Sequence, residues 1–440
     1  MRSRLRRAER LVAAGIAAQL LVAVPSAVLV RPAATPSAQA KHDTRADAER
    51  QQITDRTAAV EALLARRSKA VLERDRTAFL ADLDPTQKAF VAKQGLVFDH
   101  LTALRFASWA YTVDEERYRA STPELDALRG EWWSPDVELK YAIAGYDAVP
   151  TEEPQGLTFV HRAGHWYLAS DDDFAKDGHP TQRDLWDTGA VRVSTGTSCL
   201  VLSHPKGAGM AALALRECDL SVPRVTAFWG TGWQRKVVLV VPDSSAELQK
   251  LVPGIGDVSN IAAVATAELT DPATGYHPVG DRVVVNPRSF KELGPVGRRV
   301  VLTHEVTHVA SRAATGPFVP TWMVEGLADY VGFLGAGVPL SASAYELRKA
   351  MRAGRVPVEL PLDSEFQGGR ADLAETYEMS WLAVTLLVKT YGKAGFLSLY
   401  KDIGTAQSAG AIDLAFARHA RTTVARFTQS WIADLKRQLL

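Results

Sequence analysis

Residues 300–310 constrain this chain most, because the run VVLTHEVTHVA places two histidines and a glutamate in an otherwise apolar stretch. On an α-helix, His304 and His308 differ by about 40° around the axis, so both imidazoles point the same way. Two neutral imidazoles on one helix face can supply two ligands of a tetrahedral zinc ion. Glu305 projects about 100° away, where a general base can take a proton from an activated water. A buried helix with these polar groups needs compensation, which a metal ion supplies.

A second segment, PTWMVEGLADY over residues 320–330, offers the remaining ligand. Glu325 and Asp329 are four residues apart and share one face of a helix. Glu325 can bind the zinc ion, and Asp329 can accept the outer N–H of a ligand histidine and fix its tautomer. Pro317 and Pro320 interrupt the chain between the two helices, so the second can fold back on the first. We therefore expect one Zn²⁺ per chain, bound by both HExxH histidines and Glu325.

The HExxH motif followed by W-x-x-E-G-x-A-x-Y resembles the gluzincin clan of zinc peptidases, the peptidase MA-like group. The resemblance implies that His304, His308 and Glu325 bind zinc, that Glu305 is the base and that Asp329 supports His304. The order of strands and helices extends it to about residues 190–440, and we expect the metallopeptidase domain over residues 188–440. The chain lacks the G-x-M-E-N exopeptidase motif, and its second helix follows sooner than in the large zinc aminopeptidases.

The resemblance also suggests an edge strand above the cleft, with residues 283–287 as the candidate, although a plain sheet strand explains the same residues. A second electrophile is expected beside the zinc. Tyr377, which resembles a tyrosine at the start of the corresponding helix in related peptidases, is the main candidate. The alternative for Tyr377 is a core position. His419 is the other candidate, although neighbouring arginines favour an exposed position for it.

Further apolar patterns in this part of the chain predict strands and helices. Strands are expected over residues 191–204, 225–229, 236–241, 261–267 and 282–285, and helices over 207–218 and 244–251, with helices dominating from 296 onward.

The N-terminal 40 residues have the pattern of a targeting segment. Five arginines precede position 11, residues 11–30 carry no charge, and a small-x-small site ends at Ala40. A cleaved signal peptide and an uncleaved signal anchor both fit, and a buried helix is the plain alternative. The first two place the rest of the chain outside the cytoplasm, secreted or held at the cell membrane by this segment alone. Residues 41–56, rich in polar residues, are expected to be a linker.

Residues 57–175 show helical periodicity first and alternating strand patterns afterwards, including a hairpin around Ala163 and Gly164. Helices followed by antiparallel strands indicate an α+β domain. The order resembles the SnoaL-like, nuclear transport factor 2-like fold, in which a curved sheet can hold a small ligand. Residues 171–173 are three consecutive aspartates, and a solvated turn is the favoured interpretation. The fold class expected for the whole chain is α+β, with a SnoaL-like accessory domain before a mixed-sheet and helical gluzincin-like domain.

The amino-acid composition argues against two broad classes of protein. The 51 Lys+Arg against 50 Asp+Glu argue against a nucleic-acid binder, and 47% hydrophobic residues exclude a mostly disordered chain. Outside the cytoplasm, Cys199 and Cys218 could form a disulfide, although two separate buried thiols are equally compatible.

These features predict an extracytoplasmic zinc metallopeptidase that acts on a peptide or protein substrate. Two alternatives remain: a gluzincin-fold binding protein that no longer cleaves, and a zinc hydrolase of a non-peptide bond. The sequence does not select endo- over exopeptidase activity or an oligomeric state.

Overall fold

The structure, a computed structural model, describes residues 42–440 except 254, 257, 259–260, 270–277, 368–369, 407 and 409. Its fold class is α+β, as expected from the sequence. The described chain divides into two compact units, and the boundary lies between Ala190 and Val191. The expected signal segment, residues 1–40, lies outside the described residues.

The first unit contains helices followed by antiparallel strands. Two three-stranded sheets, ordered β1-β3-β4 and β2-β5-β6, are present in its described part. Its elements are α1 (His42–Glu73), α2 (Arg76–Ala81), α3 (Lys88–Leu101), β1 (Phe106–Tyr118), α4 (Pro123–Arg129), β2 (Trp132–Trp133), β3 (Pro135–Ile143), β4 (Thr151–Gln155), β5 (Thr158–Arg162), β6 (His165–Ser170), a 3-10 turn (Ala175–Asp177) and α5 (Leu185–Thr188).

The linker prediction for residues 41–56 was wrong from His42 onward, because α1 begins there. Residues 50–55 of this helix are exposed, and burial begins only near Thr57 and Val60. Residues 42–56 contain three Arg, two Ala and two Gln, which are good helix formers. The first turns of α1 are therefore polar because they are exposed to solvent. The apolar pattern begins only where the helix packs against the rest of the unit.

The core of the first unit lies between α1 and the strands. Val60 and Leu63 of α1 pack with Trp133, Phe159 and Leu168. The predicted hairpin joins β5 and β6, where Ala163 and Gly164 both have positive φ angles, 50° and 81°. Gly164 adopts this left-handed conformation without the steric cost that a side chain adds.

The second unit combines a mixed sheet with helices. Its elements are β7 (Arg192–Thr195), β8 (Cys199–Ser203), a 3-10 turn (Pro205–Gly207), α6 (Ala208–Trp229), β9 (Val237–Val241), α7 (Ser245–Leu251), β10 (Ala263–Leu269), β11 (Pro278–Val285), α8 (Pro287–Glu292), α9 (Pro295–Ser311), a 3-10 turn (Arg312–Ala314), α10 (Thr321–Phe333), α11 (Leu340–Ser343), α12 (Tyr345–Arg352), a 3-10 turn (Asp363–Phe366), α13 (Leu373–Gly404), α14 (Ala411–Ala415), a π-helical turn (Phe416–Ala420) and α15 (Val424–Leu439).

The five described strands of this sheet are ordered β10-β11-β9-β8-β7. The three inner strands β8, β9 and β11 are parallel, and both outer strands are antiparallel to their neighbours. The prediction that residues 283–287 form the edge strand was wrong, because β11 pairs with β10 on one side and β9 on the other. The consecutive valines of β11 suit a strand buried on both faces. Among the strands that the structure describes, β10 lies at the edge on this side.

Two strand predictions in this unit were also wrong. Residues 225–229 are helical, because α6 continues to Trp229 and buries Val225 and Phe228 in the core. Residues 191–204 form two strands, β7 and β8. Asp219 of α6 accepts backbone N–H groups from residues 197, 198 and 199 and so stabilises the turn between them. Cys199 and Cys218 are joined by a disulfide bond, which links β8 to α6.

One described helix, α13, is long and apolar enough to span a membrane by length and composition. At Gly392, φ is 72° and ψ is 164°, so two helices meet at a kink inside this range. Leu387, Phe396 and Tyr400 lie on both sides of the kink and belong to the core of the second unit. Part of the apolar surface of α13 is therefore used in this core.

Candidate metal centre

Helix α9 carries the HExxH motif, as the sequence predicts. The helix begins at Pro295, whose fixed φ suits a first helical turn. Every residue from 300 to 308 is buried, and His304 and Glu305 have no exposed surface. The apolar residues of α9 pack into the core together with the sheet, and the two histidines and Glu305 are buried with them. The helix therefore holds the side chains of His304, Glu305 and His308 away from water.

Helix α10 brings Glu325 and Asp329 to the same place by close backbone packing. A Cβ at Gly326 would lie only 2.4 Å from the backbone oxygen of Ser380 in α13. A Cβ at Gly332 would lie 3.0 Å from the backbone oxygen of Val300 in α9. Glycine therefore permits α10 to approach both neighbouring helices, and both carboxylates are buried there.

Three side chains converge between α9 and α10. The Nε2 atoms of His304 and His308 are 3.0 Å apart. Oε2 of Glu325 lies 3.3 Å from Nε2 of His304 and 3.4 Å from Nε2 of His308. All three donor atoms lie within 4.8 Å of one another. The residues predicted as metal ligands from sequence are thus brought together.

Asp329 holds the other ring nitrogen of His304, with Oδ1 2.8 Å from Nδ1. Burial lowers the pKa of His304, but Asp329 and Glu325 outweigh burial and raise this pKa to about 10. Burial raises the pKa of Glu325, but His308 and His304 outweigh it and lower this pKa to about 2. Burial also raises the pKa of Asp329, although His304 opposes the shift. Without a metal ion, the raised pKa of His304 favours its protonated, positively charged form beside Asp329 and Glu325.

Glu305 is fully buried on the same helix, and neither of its carboxylate oxygens has a hydrogen-bond partner of standard geometry among the described residues. Burial raises the pKa of Glu305, while His304, His308 and the backbone amide of Ala265 in β10 oppose the shift. A carboxylate without a strong partner, beside a cluster of metal-ligand side chains, is suited to accept a proton from a bound water.

Tyr377, near the start of α13, lies beside His304, with ring centroids 6.5 Å apart. Phe366 packs edge-on against it at 5.5 Å. The next residue, Glu378, accepts backbone N–H groups at the start of α12, from residues 346 and 347. Burial raises the pKa of Glu378 to about 8, and those two bonds oppose the shift. These contacts hold the beginning of α13 next to the candidate metal centre.

The donor set fits a metal ion. Two imidazole nitrogens and one carboxylate oxygen are the usual protein ligands of a catalytic site with one open position. Both oxygens of Glu325 are buried without a hydrogen bond of standard geometry among the described residues, and burying a charged group in this way is costly. The hydrogen bond that Nδ1 of His304 donates to Asp329 fixes the ring so that Nε2 faces the centre. The buried His304, His308 and Glu325 group could therefore hold a metal ion.

His419, the other candidate for the second electrophile, instead bonds Asp402, with Nε2 3.0 Å from Oδ2. The contacts described for His419 do not include the metal-ligand side chains.

The solvated-turn interpretation was wrong for Asp171, which is buried in the first unit. Lys93 and Arg183 form ion pairs with it, and Gln94 donates a hydrogen bond. Burial raises the pKa of Asp171, but the two cations outweigh it and lower this pKa. Lys93 and Gln94 lie 78 and 77 positions away in the sequence, so no local pattern could have indicated this cluster.

Comparison with known proteins finds no family model that matches this chain and no curated protein that matches it.

Proposed function

We propose that this protein is an extracytoplasmic zinc metallopeptidase of gluzincin type. The observation that carries the proposal is the convergence of His304, His308 and Glu325, with Glu305 buried beside them and Asp329 bonded to His304. This set contains the ligands, the base and the supporting carboxylate that hydrolysis by a zinc-activated water requires. Zinc is the metal proposed, because two imidazoles and one carboxylate are a common catalytic zinc set.

Zn²⁺ held by these three side chains would supply Lewis acidity and lower the pKa of a water in its open position. Glu305 takes the proton of the attacking water and later delivers it to the leaving amine of the peptide. Asp329 keeps the proton of His304 on Nδ1 and so leaves Nε2 free as a ligand. Tyr377 donates a hydrogen bond to the oxyanion that develops on the substrate carbonyl.

An extended peptide is the substrate class proposed, because the edge strand β10 lies next to Glu305. Its Ala265 is close enough for the backbone amide to affect the pKa of Glu305. A peptide that adds to a sheet edge gains main-chain hydrogen bonds, which bring its carbonyl groups into a fixed register. Such a register would present one peptide bond to the metal centre.

The proposal is tested with Glu305→Gln, which keeps the size of the side chain and removes the base. Zinc content should be unchanged, and kcat on a mixed peptide library should fall by about 100-fold or more. Glu292→Gln, at an exposed position at the end of α8, is the matched control and should retain full activity. Full activity in Glu305→Gln would refute the assignment of the base.

Screening the zinc-loaded wild type separates the alternatives. Peptide cleavage supports the proposal. Zinc binding without any hydrolysis would favour a binding protein on the same scaffold, and hydrolysis of esters but not peptides would favour a zinc hydrolase of another bond.

The compartment is part of the proposal. The disulfide between Cys199 and Cys218 supports it, because such bonds persist in oxidising compartments. The N-terminal segment, residues 1–40, would direct export and provide the contact with the membrane. The first unit would be a SnoaL-like accessory domain, supported by its order of helices before antiparallel strands.

A further inference from the structure

The backbone of β10 alternates between facing its neighbour β11 and facing outward. The backbone N–H of Asn286 donates to the carbonyl of Ala262 at 2.9 Å, and the register continues with Ala263 opposite Val285 and Ala265 opposite Val283. In an antiparallel pair, hydrogen-bonded positions alternate with positions whose backbone groups point away from the partner strand. Since Ala262 faces β11, the N–H and C=O groups of Ala263 and Ala265 point to the outer edge of the sheet.

Arg312 binds one of these outward groups. Its Nη2 donates to the carbonyl of Ala265 at 3.1 Å, and its Nε donates to Oδ1 of Asp281 in β11 at 2.6 Å. The backbone N–H of Arg312 donates to the carbonyl of His308 at the end of α9. One buried guanidinium therefore connects the HExxH helix to both the edge strand and its neighbour.

The small residues of β10 make this connection possible. The side chains of Ala263 and Ala265 belong to the same core as Val301 and Val306 of α9. Short side chains let the strand backbone approach the helix closely. A planar guanidinium with donors in a fixed fork can then bond a carboxylate and a carbonyl at once.

We infer that Arg312 is a positioning residue, which fixes the edge strand β10 at a set distance from the HExxH helix and thereby aligns a bound peptide with the metal centre. The part of this inference that concerns peptides rests on the proposed function. The part that concerns the strand does not, because it follows from bonds between Arg312, Asp281 and Ala265.

Hydrogen–deuterium exchange of the full chain tests the strand. In Arg312→Ala, backbone amides of β10 should exchange about tenfold faster or more, while those of β8 keep their rates. Arg312→Lys should give partial protection, because a single ammonium cannot reproduce the fork. Arg298→Ala is the matched control, since Arg298 lies on α9, which ends next to Arg312, and among the described residues its side chain donates to the carbonyls of Phe290 and Lys291 instead of to β10. Unchanged exchange in β10 of Arg312→Ala would overturn the inference.

Asp281→Asn provides a second variant if Arg312→Ala does not fold. The Asp281 side chain is partly exposed, so the substitution is tolerable, and it weakens one bond of Arg312 while leaving the other. Exchange of β10 should rise less than in Arg312→Ala and in the same segment. Unchanged exchange in both Asp281→Asn and Arg312→Lys would also overturn the inference.

Kinetics on a cleaved peptide test the alignment. At unchanged zinc content, Arg312→Ala should raise KM about tenfold or more and lower kcat less, with Arg312→Lys between it and the wild type. A merely structural role would instead reduce the active fraction without changing KM, and that result would contradict alignment. If the wild type cleaves no peptide, the proposed function fails, whereas the exchange experiment still decides whether Arg312 fixes β10.

Discussion

Replacing Gly326 by alanine should weaken metal binding without removing any ligand. The added Cβ would lie 2.4 Å from the backbone oxygen of Ser380 and 2.7 Å from Cγ2 of Val384, whereas ordinary contacts begin at 3.4 Å. Helices α10 and α13 must therefore separate by about 1 Å, the difference between 3.4 and 2.4 Å. Glu325 is the preceding residue and moves with α10, while metal–ligand distances tolerate only about 0.2 Å.

Two free energies oppose each other in this variant. Overpacking typically costs about 1–3 kcal/mol, and replacing a helical glycine by alanine stabilises a helix by up to about 1 kcal/mol. Gly209→Ala in α6 isolates the contribution of helix propensity, because beyond its chain neighbours and its own helix backbone no atom lies within 4 Å of the added Cβ. We expect Gly326→Ala to be less stable than Gly209→Ala by about 1–3 kcal/mol in denaturant unfolding of the metal-free protein.

Metal affinity supplies the second measurement for this pair. In competition with a chromophoric chelator, Gly326→Ala should bind zinc about tenfold more weakly or worse, and Gly209→Ala should match the wild type. Equal stability and equal affinity in the two variants would refute the close packing of α10 that places Glu325.

Three further predictions concern the same centre. Asp329→Asn keeps the shape of the side chain but loses its charge, so zinc affinity should fall about 10- to 100-fold in chelator competition; unchanged affinity would remove Asp329 from its supporting role. Tyr377→Phe should lower kcat about 100-fold with KM and zinc content nearly constant, and an unchanged kcat would make Tyr377 a core residue. Because Asp329 and Glu325 raise the pKa of metal-free His304 to about 10 despite burial, zinc must displace its proton. Affinity should therefore fall about tenfold for each unit that the pH drops between 8 and 6, and a constant affinity would contradict the raised pKa.

The metal-ligand group could be predicted from sequence because its determinants are local. His304 and His308 share a helix face at a spacing of four, and Glu325 and Asp329 share another, so each pair is fixed by helix geometry alone. The break at Pro317 and Pro320 only had to let the second helix, α10, fold back on the first, α9. Gly332 then sets how closely α9 and α10 meet, because an added Cβ would lie 3.0 Å from the backbone oxygen of Val300, and its sequence context does not show this.

The edge strand could not be predicted in the same way, because edge position depends on pairing between distant segments. Val283 is paired in register with Leu239 on one side and Ala265 on the other. Its apolar neighbours indicate a strand but not how many partners that strand has. The hydrogen bond between Arg312 and Ala265 joins residues 47 positions apart, so local sequence patterns could not predict it either.

Helix α6 and the cluster around Asp171 are two other places where local sequence patterns do not predict the structure. Val225 to Trp229 has strong strand propensity, yet burial of Val225 and Phe228 against the core favours the helix. Asp171 lies in a run of aspartates that suggests solvent, yet cations from distant positions pair with it and permit burial.

The central claim is that His304, His308 and Glu325 hold one zinc ion, and the metal content of the purified full-length protein tests it most directly. After loading at neutral pH and removal of free metal, elemental analysis should give about one zinc per chain for the wild type. His308→Ala should retain almost none, and a folded His419→Ala control, altered at a histidine that bonds Asp402 instead, should retain the full amount. Absence of zinc from the wild type, or equal zinc in wild type and His308→Ala, would contradict the account.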